Sequence, residues 1–276
     1  MSARSDESSA EVRYDVDGHV ATLTLDAPER MNTISPRMLR EISERLIDAD
    51  TDRQVRAIIV TGAGRAFCAG LDLQAQMAGP KGGLGSLSEG ASTSPPGEID
   101  MRNAPPMVLH NIDTPTICAL NGGAAGYGLD LALGCDIRLA ADSAKLNSGF
   151  AKRGIVPESG GTWLLPRMVG YAKAAELAFT GRTITAAEAL ELGIVNQVVP
   201  AAELAASAAA FAAEIAGNAP LAVRAIKRMM RAAETETFEQ NVHHVYLQLL
   251  PLLSTADFAE GVAAFMEKRD PEFHGR

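Results

Sequence analysis

The chain reads as an α/β protein whose strands and helices alternate through the first two thirds, leaving the rest to helices. Three features carry this reading: a hairpin near the N-terminus, apolar runs that lead into glycine-rich turns and then helices, and an Ala-rich stretch without strand signals from residue 201 onward. Strands that give way to helices alone imply an α/β core with a C-terminal helical region. At 276 residues, 47% of them hydrophobic and 21% charged, the chain can bury a substantial core, either as one large domain or as a domain with an appendage.

Residues 1–11 are polar and read as a disordered lead-in, with no apolar segment of the signal-peptide kind. Around Asp17-Gly18, residues 12–16 and 19–25 form the hairpin, with Val20, Thr22 and Thr24 alternating against Ala21, Leu23 and Leu25. Ser35-Pro36 then opens a helix with proline at its first position, and Met38, Ile42, Leu46 and Ile47 supply its apolar spacing. The run VRAIIVT at 55–61 has the composition of a buried parallel strand. TICAL at 116–120 and DIRLA at 136–140 predict two more strands, with a helix from 126 to 133 between them and a short strand at 145–146. Helices at 161–168, 173–179 and 186–192 precede the helical tail, whose last helix runs from 256 to 268. The expected division is therefore a lead-in at 1–11, a core at 12–200 and a helical region at 201–276. One segment stands apart. Residues 78–98 hold six Gly, four Ser and three Pro, and read as a long flexible loop, either a lid or a plain surface insertion.

A net charge of −9 argues against nucleic-acid binding through bulk electrostatics. An anionic ligand would depend on local basic groups or helix N-termini. Cys68, Cys118 and Cys135 are odd in number and sit among small or apolar residues, which speaks against a disulfide framework and for a reducing, cytoplasmic setting. The apolar runs are too short to span a membrane. None of the five histidines has partners at metal-ligand spacing, so no metal is expected.

Two glycine-rich junctions carry the chemistry. GAGRAFCAGLDL at 62–73 follows the 55–61 strand, yet lacks the lysine and hydroxyl of a phosphate loop and the spacing of a dinucleotide fingerprint. Alone it is compatible with a mere tight turn. NGGAAGYGLD at 121–130 follows the 116–120 strand and leads into a helix, where unsatisfied N–H groups and partial positive charge favour an anion. Asp130 lies three residues after Tyr127 and so shares a side of the first turn, where it could serve chemistry or simply complement the helix dipole. Two such junctions in one chain suggest donors converging on a single oxygen, which is the geometry of an oxyanion hole.

GRAFCAGLDL, then NGGAAGYGLDLALGCDIRLAADSAKL, then RGIVPESGGTWLLPRMVG resemble the crotonase superfamily, also called enoyl-CoA hydratase/isomerase, in order and spacing. The resemblance runs from the hairpin to the helix containing FMEKR. It implies a spiral core of ββα turns and C-terminal helices that build a homotrimer or hexamer. It implies an acyl-CoA substrate, with no separate cofactor because coenzyme A belongs to the substrate; the acidic balance and short apolar runs lead to no nucleic-acid or membrane partner being expected. It places the oxyanion donors at the backbone N–H groups of Leu71 and Tyr127. Coenzyme A contacts fall on Arg30 and Met31, on Ala69, Asp72 and Leu73, and on Phe265 and Lys268, the last two sometimes across a subunit boundary. Glu29 occupies the usual place of a basic residue, and charge favours its neighbour Arg30. Hydratases of the family carry two glutamates that hold one water; here Asp130 takes the first place and Phe150 the second. Glu158 lies in a turn where other members carry a working carboxylate, and it could equally cap the following helix. Asp130 and Glu158 as acid and base fit double-bond isomerisation, or hydration if they share a water, with Leu129, Phe150 and Trp163 expected to supply the apolar surroundings. The alternatives are an acyl-CoA hydrolase, a C–C-cleaving member or a non-catalytic scaffold.

Overall fold

The computed structural model describes residues 10–72 and 102–276. Residues 1–9, and with them most of the expected lead-in, lie outside the described residues, as does the loop expected at 78–98. Strands β1 (Val12–Asp17) and β2 (Val20–Leu25) pair antiparallel with Asp17 opposite Val20. The two loop residues are therefore Gly18 and His19, one position later than Asp17-Gly18, and Gly18 takes the positive φ of +55°. Helix α1 (Pro36–Thr51) starts where expected, with the Ser35 hydroxyl accepting from the Met38 N–H at 3.0 Å. Met38, Ile42 and Leu46 are buried, whereas Ile47 is 40% exposed. One residue on from Leu46 is about 100° around the helix, which turns Ile47 off the core face.

The chain then winds as a spiral between two sheets. β3 (Ala57–Gly62), β5 (Thr116–Leu120) and β7 (Ile137–Ala141) enter the larger sheet, in the order β1-β2-β3-β5-β7-β10, where β10 is Gln197–Val199. The short strands that follow each of them, β4 (Ala66–Cys68), β6 (Gly123–Ala125) and β8 (Lys145–Asn147), enter the smaller sheet and are closed by β9 (Thr183–Thr185). From β2 to β10 the larger sheet is parallel, in keeping with central strands that are mostly apolar and buried on both faces. Helix α2 (Pro105–Asn111) precedes β5, and α3 (Tyr127–Gly134), buried along its length, occupies the centre of the molecule. α4 (Gly161–Val169), α5 (Tyr171–Thr180) and α6 (Ala186–Glu191) follow. Of the C-terminal helices, α7 (Leu204–Ala216) lies on the larger sheet through Leu204, Ala208, Ala212 and Ala216. α8 (Pro220–Ala232) is tied to the ends of β5 and β7 through Lys227, which donates to Thr114 O and Asp136 Oδ2, and α9 (Phe238–Leu252) and α10 (Ala256–Glu267) follow. No single helix among the described residues is long and apolar enough to cross a membrane.

Asn32 fastens the loop after β2 to this core. It is fully buried at φ +53°, its Oδ1 accepts from the Ala27 N–H, and its Nδ2 reaches the carbonyls of Ala63, Ala66 and Phe67. Asn32→Ala leaves the Ala27 N–H and the Ala63 and Phe67 carbonyls without this partner, while Ala66 O keeps the Asn121 amide. The substitution is expected to lower stability by about 3 kcal/mol in urea unfolding, and a loss below about 1 kcal/mol contradicts this role.

Candidate active site

The first arm of the site is the segment after β4. Ile34 and Leu71 form an isolated parallel bridge in which Ile34 donates to Gly70 O and accepts from Asp72 N, at 2.8 and 3.0 Å. A parallel bridge of this kind uses both polar groups of Ile34 and neither of Leu71. The Leu71 N–H therefore points away from Ile34 and has no acceptor among the described residues. Ala69 is fixed from the other side, its N–H donating to Met31 O at 3.0 Å.

The second arm is the turn from β6 into α3. Gly126 adopts φ +53° and ψ −124°, a conformation open only to glycine, and this swings Tyr127 into the first helical position. A first-position N–H has no partner within its own helix, and that of Tyr127 has none among the described residues. The arms lie side by side because β4 and β6 pair, Ala66 with Gly123 and Cys68 with Ala124. Gly70 passes so close that a Cβ there would stand 3.0 Å from Ala125 O and 3.8 Å from Tyr127 N. Gly128 seats α3 directly on β4, since a Cβ at that position would meet Cys68 O at 2.2 Å. Two residues whose N–H groups have no partner among the described residues, Leu71 and Tyr127, thus line one cavity of about 450 Å³. That arrangement can hold a carbonyl oxygen as negative charge builds on it.

Glu158 borders the same cavity. Both of its oxygens are shut off from solvent and have no hydrogen-bond partner in another of the described residues. Burial pushes its carboxyl above the ordinary glutamate range, with its own backbone N–H pulling the other way. The expected alternative, a helix cap, is not what the side chain does, because α4 begins at Gly161 with no side-chain cap. Asp130 behaves differently. It is 3% exposed, it lines not this cavity but a smaller one beside α4 and α5, and its Oδ2 is taken up by the Ser159 hydroxyl and the Gly161 N–H. Burial first, and then the charge of Glu158, push its carboxyl up to about 7.

Phe150 is buried on the cavity wall with its ring edge toward the Gly126 turn. Leu129 faces the smaller cavity with Asp130. Trp163 is elsewhere: it stacks under the Arg167 guanidinium at 3.9 Å and meets His110 edge-on at 5.6 Å, so it does not supply the expected apolar surroundings of the main cavity. The Cys68 thiol, pushed up to about 12 by burial, stays protonated and is no nucleophile at neutral pH.

Arg30, Met31, Ala69 and Asp72 all line the cavity, while Leu73 lies outside the described residues. Arg30 is ion-paired to Glu11 at 2.9 Å and to Glu29 at 3.5 Å, so its positive charge is partly balanced. Phe265 and Lys268 are not brought to the cavity within this chain; Phe265 is 82% exposed, in an apolar groove between α8, α9 and α10. Thr33, Arg153 and Ile155 also line the cavity and went unmarked in the sequence. They lie two to three residues from marked positions, and no residue-type pattern distinguishes them.

A family model for enoyl-CoA hydratase/isomerase matches residues 15–276. Among characterised relatives, 1,2-epoxyphenylacetyl-CoA isomerase of Escherichia coli (strain K12) is 40% identical over 265 residues, covering 95% of this chain and 97% of that protein. Carnitinyl-CoA dehydratase of the same strain is 37% identical over 271 residues, covering 94% and 96%. The crystal structure of an enoyl-CoA hydratase from Bacillus anthracis superposes with a TM-score of 0.88 at 33% identity, covering 96% of this chain and all of that one.

Proposed function

Since the chain belongs to the enoyl-CoA hydratase/isomerase family, we propose that it shifts the double bond of an unsaturated acyl-CoA, with Glu158 as its acid/base. The observation that carries this reading is the buried Glu158 carboxylate beside the Leu71 and Tyr127 N–H groups, all three without a partner among the described residues, with Phe150 standing where a second water-holding acid would be needed. The thioester oxygen sits against the N–H groups of Leu71 and Tyr127, which makes the C2 protons acidic. Glu158 takes a proton from C2 of a 3-enoyl-CoA, and the electron pair moves onto the thioester oxygen as a dienolate. The same carboxyl then returns the proton at C4 as the double bond settles between C2 and C3, so the formula is unchanged. The apolar Phe150 disfavours an ordered water on the opposite side and so disfavours hydration. The relatives' names divide between an isomerase, of an epoxide, and a dehydratase, so the choice rests on Glu158 and Phe150.

Coenzyme A extends along Arg30, Met31, Ala69 and Asp72. Phe265 and Lys268 belong to the contact that a neighbouring subunit makes. The exposed apolar side chains of α9 and α10 support such an assembly: no residue of α9 is buried in the single chain, and Phe238 is 86% exposed. A homotrimer or hexamer is expected, and light scattering should give a mass near three or six times 29.0 kDa. A stable monomer at micromolar concentration would remove the shared-site contact. The buried free thiols of Cys68, Cys118 and Cys135 suit the cytoplasm.

Mass analysis of products from matched 2-enoyl and 3-enoyl-CoAs tests the reaction. A product of unchanged mass from the 3-enoyl substrate is expected. Gain of one water, or release of free coenzyme A, replaces isomerisation by hydration or hydrolysis.

A further inference from the structure

Asp130 has its carboxylate turned from the substrate cavity toward the turn that carries Glu158. Its Oδ2 accepts from the Ser159 hydroxyl at 2.8 Å and from the Gly161 N–H at 3.1 Å. Ser159 is the residue next to Glu158 and is itself buried, and Gly161 begins α4. The fit is close on both sides: a Cβ on Gly161 would stand 2.2 Å from Asp130 Oδ1, and Gly160 takes φ +99° to complete the turn. The same helix α3 that presents the Tyr127 N–H therefore holds, one turn later, the residues flanking the base.

Resting on the assignment of Glu158 as acid/base, we infer that Asp130 and Ser159 form a positioning pair that fixes the Glu158 turn to helix α3, and so sets the base relative to the oxyanion site, without Asp130 exchanging a proton with substrate. Because burial leaves the Asp130 carboxyl partly neutral near pH 7, the clamp does not depend on a full negative charge. What it needs is an oxygen that accepts both hydrogen bonds, which an asparagine amide also supplies.

Three variants in the full-length enzyme separate positioning from proton transfer, with kcat, KM and melting temperature read for each. Asp130→Ala is expected to lower kcat by about 100-fold with little change in KM, the cost of a base displaced by roughly an ångström. Asp130→Asn is expected to restore most of that kcat, and Ser159→Ala, which leaves the Gly161 bond in place, to fall between the two. If Asp130→Asn is as inactive as Asp130→Ala while remaining folded, Asp130 transfers the proton itself and the inference is wrong. It is equally wrong if Ser159→Ala and Asp130→Ala both keep wild-type kcat. Should Asp130→Ala fail to fold, Asp130→Asn against Ser159→Ala decides by the same ranking. Rates are taken on whichever product the wild type forms, so a hydratase result overturns the isomerase reading and still leaves the positioning result legible.

Discussion

Glu158→Gln is expected to lower kcat by about 10²–10⁴-fold, the usual contribution of a single general acid/base. The amide keeps the shape of the side chain and abolishes its proton transfer. Binding should survive, because the N–H groups of Leu71 and Tyr127 are untouched; acetoacetyl-CoA, which resembles the enolate, should still bind with near-wild-type affinity. Folding should survive as well. A carboxyl raised by burial binds its proton more tightly in the folded than in the unfolded chain, so it lowers stability as the pH rises through its range. The variant, neutral at every pH, should therefore melt no lower than wild type at pH 8. The same displacement sets the acid limb of kcat/KM for the wild type. Glu158 must be ionised to act as base, so activity falls on acidification at a pH above the ordinary glutamate range. Undiminished turnover by Glu158→Gln removes it from the chemistry.

Gly128→Ala is expected to have the second large effect, through the oxyanion site. The added methyl would stand 2.2 Å from Cys68 O, 2.7 Å from Cys68 Cβ and 2.9 Å from Cys68 C, so mainly against the backbone of β4, which cannot yield without shifting. Pushing α3 off β4 parts the two donors. A loss of about 1–3 kcal/mol in stability should accompany a fall of about 10²–10³-fold in kcat/KM. Unlike Glu158→Gln, this variant should also bind acetoacetyl-CoA weakly. Wild-type affinity with wild-type stability would show that the close approach of Gly128 to Cys68 does not hold the donors together.

How far these sites can be read in the sequence depends on how local their cause is. The hairpin and α1 follow from alternation, a proline and a capping serine, all within a few residues. The two glycine-rich junctions are legible as places where N–H groups could converge, while Leu71 and Tyr127 as the donors follow from the family resemblance. β4 and β6 are not legible, since strands of three residues, AFC and GAA, are too short to show alternation, yet their pairing is what brings the arms together. α2 likewise has too few turns to announce itself. The direction of Asp130 was beyond reach for another reason. Its spacing from Tyr127 places it on a helix side, but whether it faces substrate or protein depends on Ser159 and Gly161, about thirty residues later in the chain. Trp163 escaped in the same way, drawn off by His110 and Arg167. Phe265 and Lys268 lie away from the cavity within one chain, and the contact expected of them would need a second copy.

The central claim is that one carboxylate moves a proton along an enolate held by two backbone N–H groups. Turnover of a 3-enoyl-CoA in D₂O by wild type and by Glu158→Gln, followed by mass analysis of the first-formed product, tests it most directly. Expected from the wild type is the 2-enoyl isomer, bearing at most solvent deuterium at C4 and no added water, and from Glu158→Gln almost no product. A wild-type product heavier by one water, or equal isomerisation by both proteins, contradicts the claim.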